Sequence, residues 1–354
     1  CALWLVPVIK GNIHMTSLTY ADLGWTAHFA GQADANDVHP LRVSRVHRDS
    51  VTVISPTGTL RLRAPDGAGG IAVGDWVEAE DDAVLRVFER QSRLKRRAPG
   101  TEAREQLIAA NVTTLGIVSS CNADFNERRL ERYLVLAAEA GCLPLVILTR
   151  ADETDDPGRF VRQVERLSPL LTALAIDATD PEELTRLHPW CRTGETLALV
   201  GSSGVGKTTI RNGLAGDTAA TQGIRMDDAK GRHTTTARAL VRTTAGGWLI
   251  DTPGMRALRM ADVSDGIEAV FADVEELALT CRFSDCAHDT EPGCALTAAI
   301  ADGRLEAERV QRWRKLKAED IRNSETIAEA RARDKGFGKM VRGVMAHKRK
   351  QRDD

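Results

Sequence analysis

Residues 201–208 read Gly-Ser-Ser-Gly-Val-Gly-Lys-Thr, a G-x-x-x-x-G-K-[ST] pattern. Glycines at this spacing let successive backbone N–H groups converge on a phosphate, and a helix starting directly afterwards adds a favourable dipole. The expected phosphate cradle is Gly201, Ser202, Ser203, Gly204, Val205, Gly206, Lys207, Thr208 and Thr209. Lys207 would reach the β- and γ-phosphates, and the Thr208 hydroxyl would complete a Mg²⁺ coordination sphere. Downstream, Asp251-Thr252-Pro253-Gly254 closes the apolar run WLI. At the end of a strand, Asp251 can hold Mg²⁺ through water, and the Gly254 N–H can sense a γ-phosphate. Between the two motifs lies GRHTTTAR (231–238), polar, glycine-flanked and rich in threonine. A switch loop is expected there, with Thr234 or Thr235 donating to Mg²⁺.

The choice of base needs a further element. Thr149-Arg150-Ala151-Asp152 ends the apolar run LPLVIL and is a relative of the N/T-K-x-D element that reads guanine. A carboxylate at Asp152 would accept two hydrogen bonds from the guanine N1–H and N2 amino group, a pattern adenine does not offer. Arg150 stands where lysine is usual; its planar guanidinium can stack on a base, but the two side chains are not interchangeable. Ile176-Asp177-Ala178 falls where a loop would back the base, with Asp177 in place of the usual serine. In ordinary small GTPases the phosphate loop comes first and base recognition last. Here 149–152 precede 201–208, which precede 234–236 and 251–254, the order of a circularly permuted GTPase.

A second kind of chemistry sits in Cys281-x4-Cys286-x-His288-x5-Cys294. Three thiolates and an imidazole within a short span suit a tetrahedral Zn²⁺. With four protein ligands no position is left for an activated water, so the expected role is structural.

These motifs need elements to hold them. From about 41 to 90, LRVSRVH, SVTVIS, TLRLRA, DWVEA and VLRVF are short, β-branched and largely alternating, and turn residues separate them. Five such strands suit a small barrel of OB type, or an SH3-like one. A basic stretch follows with Arg90, Arg93, Lys95, Arg96 and Arg97, then Pro99-Gly100. It reads equally as a solvated connector or an RNA-facing surface. From about 107 to 280, apolar runs (112–120, 143–150, 173–177, 196–201, 246–251) alternate with helical patterns (126–141, about 158–168, and one begun by Asp180-Pro181). That alternation implies a parallel sheet covered on both faces. Beyond the cysteines, about 295–333 reads as helix. The expected division is an N-terminal extension (1–36), an OB-fold-like barrel (37–98), a permuted GTPase domain (99–275), a zinc-binding helical domain (276–330) and a basic tail (331–354).

Composition narrows the setting. The 354 residues hold 42% hydrophobic and 28% charged side chains, ordinary for a globular protein, and no apolar run approaches a membrane span. The 48 basic and 50 acidic side chains nearly balance, yet residues 300–354 alone carry 16 basic against 10 acidic. Such a tail suits nucleic-acid phosphates, or a solvated helix. Seven cysteines, an odd number, fit a reduced compartment better than a disulfide framework. The opening CALWLVPVI has no cationic segment before it, residues 1–14 read as a translated upstream stretch with Met15 as the start, and a cytoplasmic location without membrane association is expected.

With barrel, permuted GTPase motifs, cysteine cluster and helical C-terminus in this order, the chain resembles the ribosome small-subunit-dependent GTPase A family. The most specific stretches are TQGIRMDDAKGRHTTTAR (221–238), GSSGVGKTT (201–209), DTPGM (251–255) and CRFSDCAHDTEPGC (281–294). The resemblance implies hydrolysis of GTP to GDP stimulated by the 30S subunit, a role in late small-subunit maturation, and contacts to 16S rRNA through the barrel and zinc domain. A monomer is expected. Met255, directly after Gly254, can neither take a proton nor orient water, so slow intrinsic turnover is expected, and His233 is the nearest water-orienting group in sequence. Two rival classes are an ATP-using P-loop enzyme and an RNA-binding module with a vestigial nucleotide site. The intact Lys207, Thr208 and Asp251 argue against the second.

Overall fold

The computed structural model describes residues 18–33, 39–65, 67–97, 105–168, 171–216, 238–251 and 262–324. The threonine loop with His233, Thr234 and Thr235, then Gly254 and Met255, and the basic tail all lie outside the described residues.

A one-turn helix α1 (Ala27–Ala30) precedes five strands: β1 (Leu41–Val46), β2 (Ser50–Ser55), β3 (Gly58–Arg63), β4 (Trp76–Glu80) and β5 (Ala83–Val87). They close into a barrel in the order β1-β2-β3-β5-β4, antiparallel except where β3 meets β5. This is the OB-type arrangement. Its core is Leu41, Val43, Val51, Val53, Leu62 and Val77, the inward half of an alternating pattern.

The basic stretch is neither connector nor linker at its start. Arg93–Arg97 form β6, paired antiparallel with β7 (Glu105–Ala110), because Leu94 on β6 and Ile108 and Ala109 on β7 are buried. Arg90 is turned from the basic stretch toward a buried carboxylate. Its guanidinium grips Asp75 with two hydrogen bonds of 2.6 and 2.7 Å and donates to the Gly70 carbonyl at 2.7 Å. Asp75 has no exposed side-chain surface, so burial raises its carboxyl pKa and the Arg90 contacts oppose that rise.

The central sheet has the order β10-β9-β8-β11-β13-β12. Its strands are β8 (Thr114–Ser120), β9 (Leu143–Thr149), β10 (Thr172–Ala175), β11 (Thr196–Gly201), β12 (Leu240–Arg242) and β13 (Trp248–Asp251). All run parallel except β12. Successive residues face opposite sides: Ala198 and Val200 enter one core, Leu197 and Leu199 the other. Helices α2 (Glu127–Ala140), α3 (Pro157–Glu165), α4 (Pro181–Thr185) and α5 (Lys207–Ala215) cover these faces. Their ends follow local chemistry. The Asn126 side chain accepts from the Arg129 N–H to begin α2, and Gly141, at φ 72°, ends it.

The C-terminal part holds α6 (Ser264–Val270), α7 (Ala272–Ala278), α8 (Ala295–Ala301) and α9, which begins at residue 307 and is described to 324. The long helix expected over 295–333 is therefore interrupted at 302–306, where Gly303 takes φ 70°. Helix α9 lies against α2 through buried charge. Glu131, with no exposed side-chain surface, meets Arg312 at 2.7 Å and Arg309 at 3.4 Å, and Arg132 meets Glu319 at 2.6 Å.

Residues 18–33 also pack inward. Leu23 and Phe29 are buried, Trp25 meets Trp76 and Phe88 edge-on, and the Trp248 indole donates to the Asp22 carbonyl at 2.8 Å. Among the described residues no helix is long and apolar enough to cross a membrane.

Candidate functional site

The parallel strands end on one edge of the sheet, and the motifs are at those ends. Ser120 pairs with Thr149, Val118 with Gly201, and Leu199 with Asp251. Residues distant in sequence, 149–152 and 201–209, are thereby neighbours. This is how a permuted chain keeps one site: strand ends place the loops, and the order in which they are visited does not matter.

The phosphate loop runs from Gly201 to Lys207, where α5 begins. Gly201 takes φ 143°, and a Cβ there would lie 2.3 Å from the Val118 carbonyl oxygen. Only glycine lets β11 stay paired to β8 while the chain turns away. Gly206, at φ 93°, packs a would-be Cβ 3.2 Å from the Thr149 methyl. The Lys207 ammonium donates to the Gly201 carbonyl at 2.9 Å and to the Ser202 carbonyl, which holds it at the mouth of the loop. Ser203, Gly204, Thr208 and Thr209 are exposed around it, and Val205 is buried as the loop's apolar anchor.

Thr149 is buried, and its hydroxyl lies 2.8 Å from the Val205 carbonyl and 3.0 Å from the Ser119 carbonyl. It therefore ties β9, β8 and the phosphate loop together. Arg150 has a left-handed backbone, φ 58°, and its guanidinium reaches the Gly204 carbonyl at 3.3 Å and Glu153 at 3.5 Å. Arg150 thus spans from the 149–152 turn to the glycine loop. Asp152 is exposed within the 3-10 turn Ala151–Glu153, and the Ala151 N–H donates to the Ile176 carbonyl at 3.3 Å. Asp177 accepts from both the Thr179 N–H and hydroxyl, at 2.8 and 2.7 Å, and these bonds hold its carboxyl below the usual carboxylate range. Its carboxylate shapes the turn into α4. A groove of ≈ 610 Å³ between α4 and α5 is lined by Ala178, Thr179, Leu184, Thr209 and Asn212, beside the base-backing turn.

The sequence carries no local signal for the Thr149–Val205 tie, because a threonine before Arg150 looks the same whether it faces solvent or a carbonyl. Asp251 ends β13 as expected. His233, Thr234, Thr235 and Gly254 fall outside the described residues.

The second site is complete. Donor atoms of Cys281, Cys286, His288 and Cys294 all lie within 4.8 Å of one another and could hold a metal ion. His288 Nδ1 is 3.4 Å from the Cys281 Sγ and 3.9 Å from the Cys294 Sγ. The knuckle is braced by Glu291, whose carboxylate accepts from the Ala287 and Asp289 N–H groups at 3.1 and 2.9 Å and so fixes the turn around His288, itself at φ 60°. The Ala295 N–H at the start of α8 points at the Cys281 Sγ, 3.3 Å away. The thiols ionise unevenly. Desolvation raises Cys294, but hydrogen bonds from the Thr297 side chain and N–H, together with His288 and Cys286, outweigh it and draw the thiol down to about 6; desolvation pushes Cys286 up to about 11.

Comparison with known proteins agrees with this geometry. A family model described as RsgA GTPase matches residues 87–261. The chain is 45% identical over 341 residues to the small ribosomal subunit biogenesis GTPase RsgA 2 of Vibrio parahaemolyticus, covering 95% of each chain. It is 46% identical over 329 residues to RsgA of Mesorhizobium japonicum, covering 90% of this chain and 94% of the relative. In fold it is similar to YjeQ from Thermotoga maritima, with TM-score 0.59 and 24% identity over 80% of this chain and 98% of that one. It is also similar to YloQ, a circularly permuted GTPase, with TM-score 0.54 and 21% identity over 85% of this chain and 99% of that one. A permuted phosphate loop on this sheet, a barrel before it and a Cys/His cluster after it, with identity of this extent, place the chain in the RsgA GTPase family of GTP-hydrolysing enzymes.

Proposed function

We propose that the chain hydrolyses GTP to GDP and phosphate while bound to the small (30S) ribosomal subunit, as a late assembly factor whose turnover is stimulated by that subunit. The observation that carries the reading is the joining of the 149–152 turn to the phosphate loop through Thr149 and Arg150, which supports one nucleotide held at both ends. The ribosomal partner is taken from the similar proteins, which are small ribosomal subunit biogenesis GTPases.

In this reading Gly201, Ser202, Ser203, Gly204, Val205, Gly206, Lys207, Thr208 and Thr209 cradle the phosphates, and Thr149, Arg150, Ala151 and Asp152 hold the guanine. Mg²⁺, brought in with GTP, would neutralise charge on the β- and γ-phosphates; Thr208 and Thr234 or Thr235 would supply its protein oxygens, Asp251 would hold it through water, and the Gly254 N–H would sense the γ-phosphate. Lys207 draws the phosphates into the loop, and Thr149 keeps the loop in register. His233 orients the attacking water once the subunit docks, because Met255 cannot.

The metal held by Cys281, Cys286, His288 and Cys294 is one structural zinc ion. Tetrahedral zinc, with Zn–S of about 2.3 Å and Zn–N of about 2.0 Å, puts sulfur and nitrogen about 3.5 Å apart. The 3.4 and 3.9 Å separations bracket that value. The functional units are the extension (1–36), barrel (37–98), GTPase domain (99–275), zinc domain (276–330) and basic tail (331–354). A monomer acts in the cytoplasm, where its ribosomal partner is, and barrel, zinc domain and tail contact 16S rRNA.

The test is a GTPase assay of the full chain with and without purified 30S subunits, repeated with ATP. Stimulated hydrolysis of GTP alone is expected. Equal use of ATP, or turnover indifferent to the subunit, would overturn the proposal.

A further inference from the structure

Arg42 of β1 is buried, with only 1% of its surface exposed. Its neighbours Leu41 and Val43 point into the barrel core, so Arg42 points out of it, beside Trp76, its partner on β4. There the rest of the chain covers it. The guanidinium donates to three neutral acceptors: the Leu23 carbonyl, the Thr196 hydroxyl at 2.7 Å and the Asn111 carbonyl at 3.5 Å. Among the described residues no carboxylate answers its charge, and none offers an acceptor to its Nε. Desolvation draws its pKa down to about 9, so it stays a cation at neutral pH.

The three acceptors belong to three separate segments. Leu23 lies in the segment 18–33, Asn111 lies between β7 and β8, and Thr196 is the first residue of β11, which ends at Gly201 of the glycine loop. The same N-terminal segment holds the next strand, for Trp248, whose indole donates to the Asp22 carbonyl, begins β13, which ends at Asp251. Farther along β1, Arg45 forms an isolated antiparallel bridge with Ala239. Ala239 adjoins Leu240, which pairs with Ile250, the residue before Asp251. The barrel strand β1 therefore runs beside the central sheet, from the starts of β11 and β13 toward their far ends.

We propose that Arg42 is a positioning residue that carries displacement of the barrel to β11 and β13, and so makes GTP turnover respond to what the barrel engages. The inference rests on the reading of small-subunit-stimulated turnover given above and names the contact that transmits it. A buried cation among neutral acceptors has no second set of partners to move to. Sliding β1 away from β11 would leave the guanidinium and the Thr196 hydroxyl buried and unpaired, so the lower-energy motion takes β11 along. A methionine of similar length would fill the space against Trp76 without tying the strands together. The coupling is reciprocal: a nucleotide bound at the strand ends must bias the barrel by the same factor.

The experiment measures GTP turnover of the full chain with and without 30S subunits for wild type, Arg42→Met, Thr196→Val and the double variant, with GDP and 30S affinities alongside. Thr196→Val keeps the buried shape and removes the acceptor from the β11 side. Stimulation is expected to fall about 2- to 30-fold in each single variant. It should fall no further in the double variant, because both changes remove one contact. Subunit-free turnover and both affinities should stay near wild type. Undiminished stimulation in Arg42→Met, a loss wholly accounted for by weaker 30S binding, or losses that add in the double variant overturns the proposal. If urea unfolding shows that Arg42→Met does not fold, Thr196→Val carries the same test alone.

A second measurement, hydrogen exchange with and without GDP, needs no ribosome. GDP should change the protection of the β1 amides in wild type and leave it unchanged in Arg42→Met, with GDP bound to both. No effect of GDP on β1 in wild type, or the same effect in Arg42→Met, overturns the coupling. Wild-type turnover indifferent to the 30S subunit, with the GDP effect on β1 present and dependent on Arg42, counts against the ribosomal reading and not against this contact.

Discussion

Replacing Thr149 by valine removes one hydroxyl and leaves the shape of a buried side chain almost unchanged. That hydroxyl sits 2.8 Å from the Val205 carbonyl and 3.0 Å from the Ser119 carbonyl, and its single proton serves one of them at a time. The hydrogen bond itself contributes about 1 kcal/mol net, and leaving a buried carbonyl without its donor costs about 1–3 kcal/mol. Ser119 and Val205 are both buried, so a total near 2 kcal/mol is expected. Where that loss falls is the informative part. If the hydroxyl holds the phosphate loop in its binding shape, the competent fraction drops, and about 2 kcal/mol weakens apparent nucleotide affinity by about 30-fold. If it only stabilises the fold, unfolding free energy falls by the same amount and affinity in the folded protein does not move. Equilibrium binding of a fluorescent GDP analogue, alongside urea unfolding, separates the two. The expected result is affinity lowered by about 10- to 30-fold, with Thr149→Ser restoring most of it. Binding within about twofold of wild type, together with a clear stability loss, would refute the view that Thr149 organises the loop.

Gly201→Ala puts a Cβ 2.3 Å from the Val118 carbonyl, so β11 and β8 must part; nucleotide binding should be lost, as titration with the same analogue will show. Removing the metal with a strong chelator should release one zinc ion per chain and unfold the 281–294 knuckle, read through Trp313, whose ring lies 5.5 Å from that of His288. Cys286→Ser should bind zinc far more weakly while leaving GDP affinity near wild type. Glu319, held by Arg132, has a folded-state pKa below its ordinary value. Its contribution is therefore present above the unfolded carboxylate pKa and is lost as pH falls through the lower folded one. Protection of the α9 amides against hydrogen exchange, corrected for the intrinsic pH dependence of exchange, should fall with acid in wild type and be less pH-dependent in Glu319→Gln.

The local features were legible because they are written in contiguous residues. The barrel strands fall within a residue or two of the alternating runs, and α2 spans 127–140 within the expected 126–141, since Asn126 and Gly141 carry the cap and stop in their own chemistry. Other elements escaped because their signals are not local. β6 looks like a run of charge, and its strand character rests on Leu94 meeting a core assembled from other segments. β12 has three residues, too few for any period to show. Arg90 is indistinguishable in sequence from Arg93, yet it is half-buried against the buried Asp75, because only the folded barrel brings a carboxylate there.

By itself the sequence determined the chemistry available: a glycine loop with Lys207, a T-R-x-D turn with Asp152, a Cys/His cluster, and an order that makes the GTPase permuted. Each depends on residue type and spacing over a few positions, which backbone geometry converts directly into a local shape. The tertiary structure decided which of these act together. Parallel pairing of β8, β9, β11 and β13 sets Thr149 and Arg150 against Val205 and Gly204, and burial of Glu131 between Arg309 and Arg312 seats α9 on α2. Those contacts join residues about 50 to 180 positions apart, a separation at which chain order carries no geometric information and packing alone sets the distance.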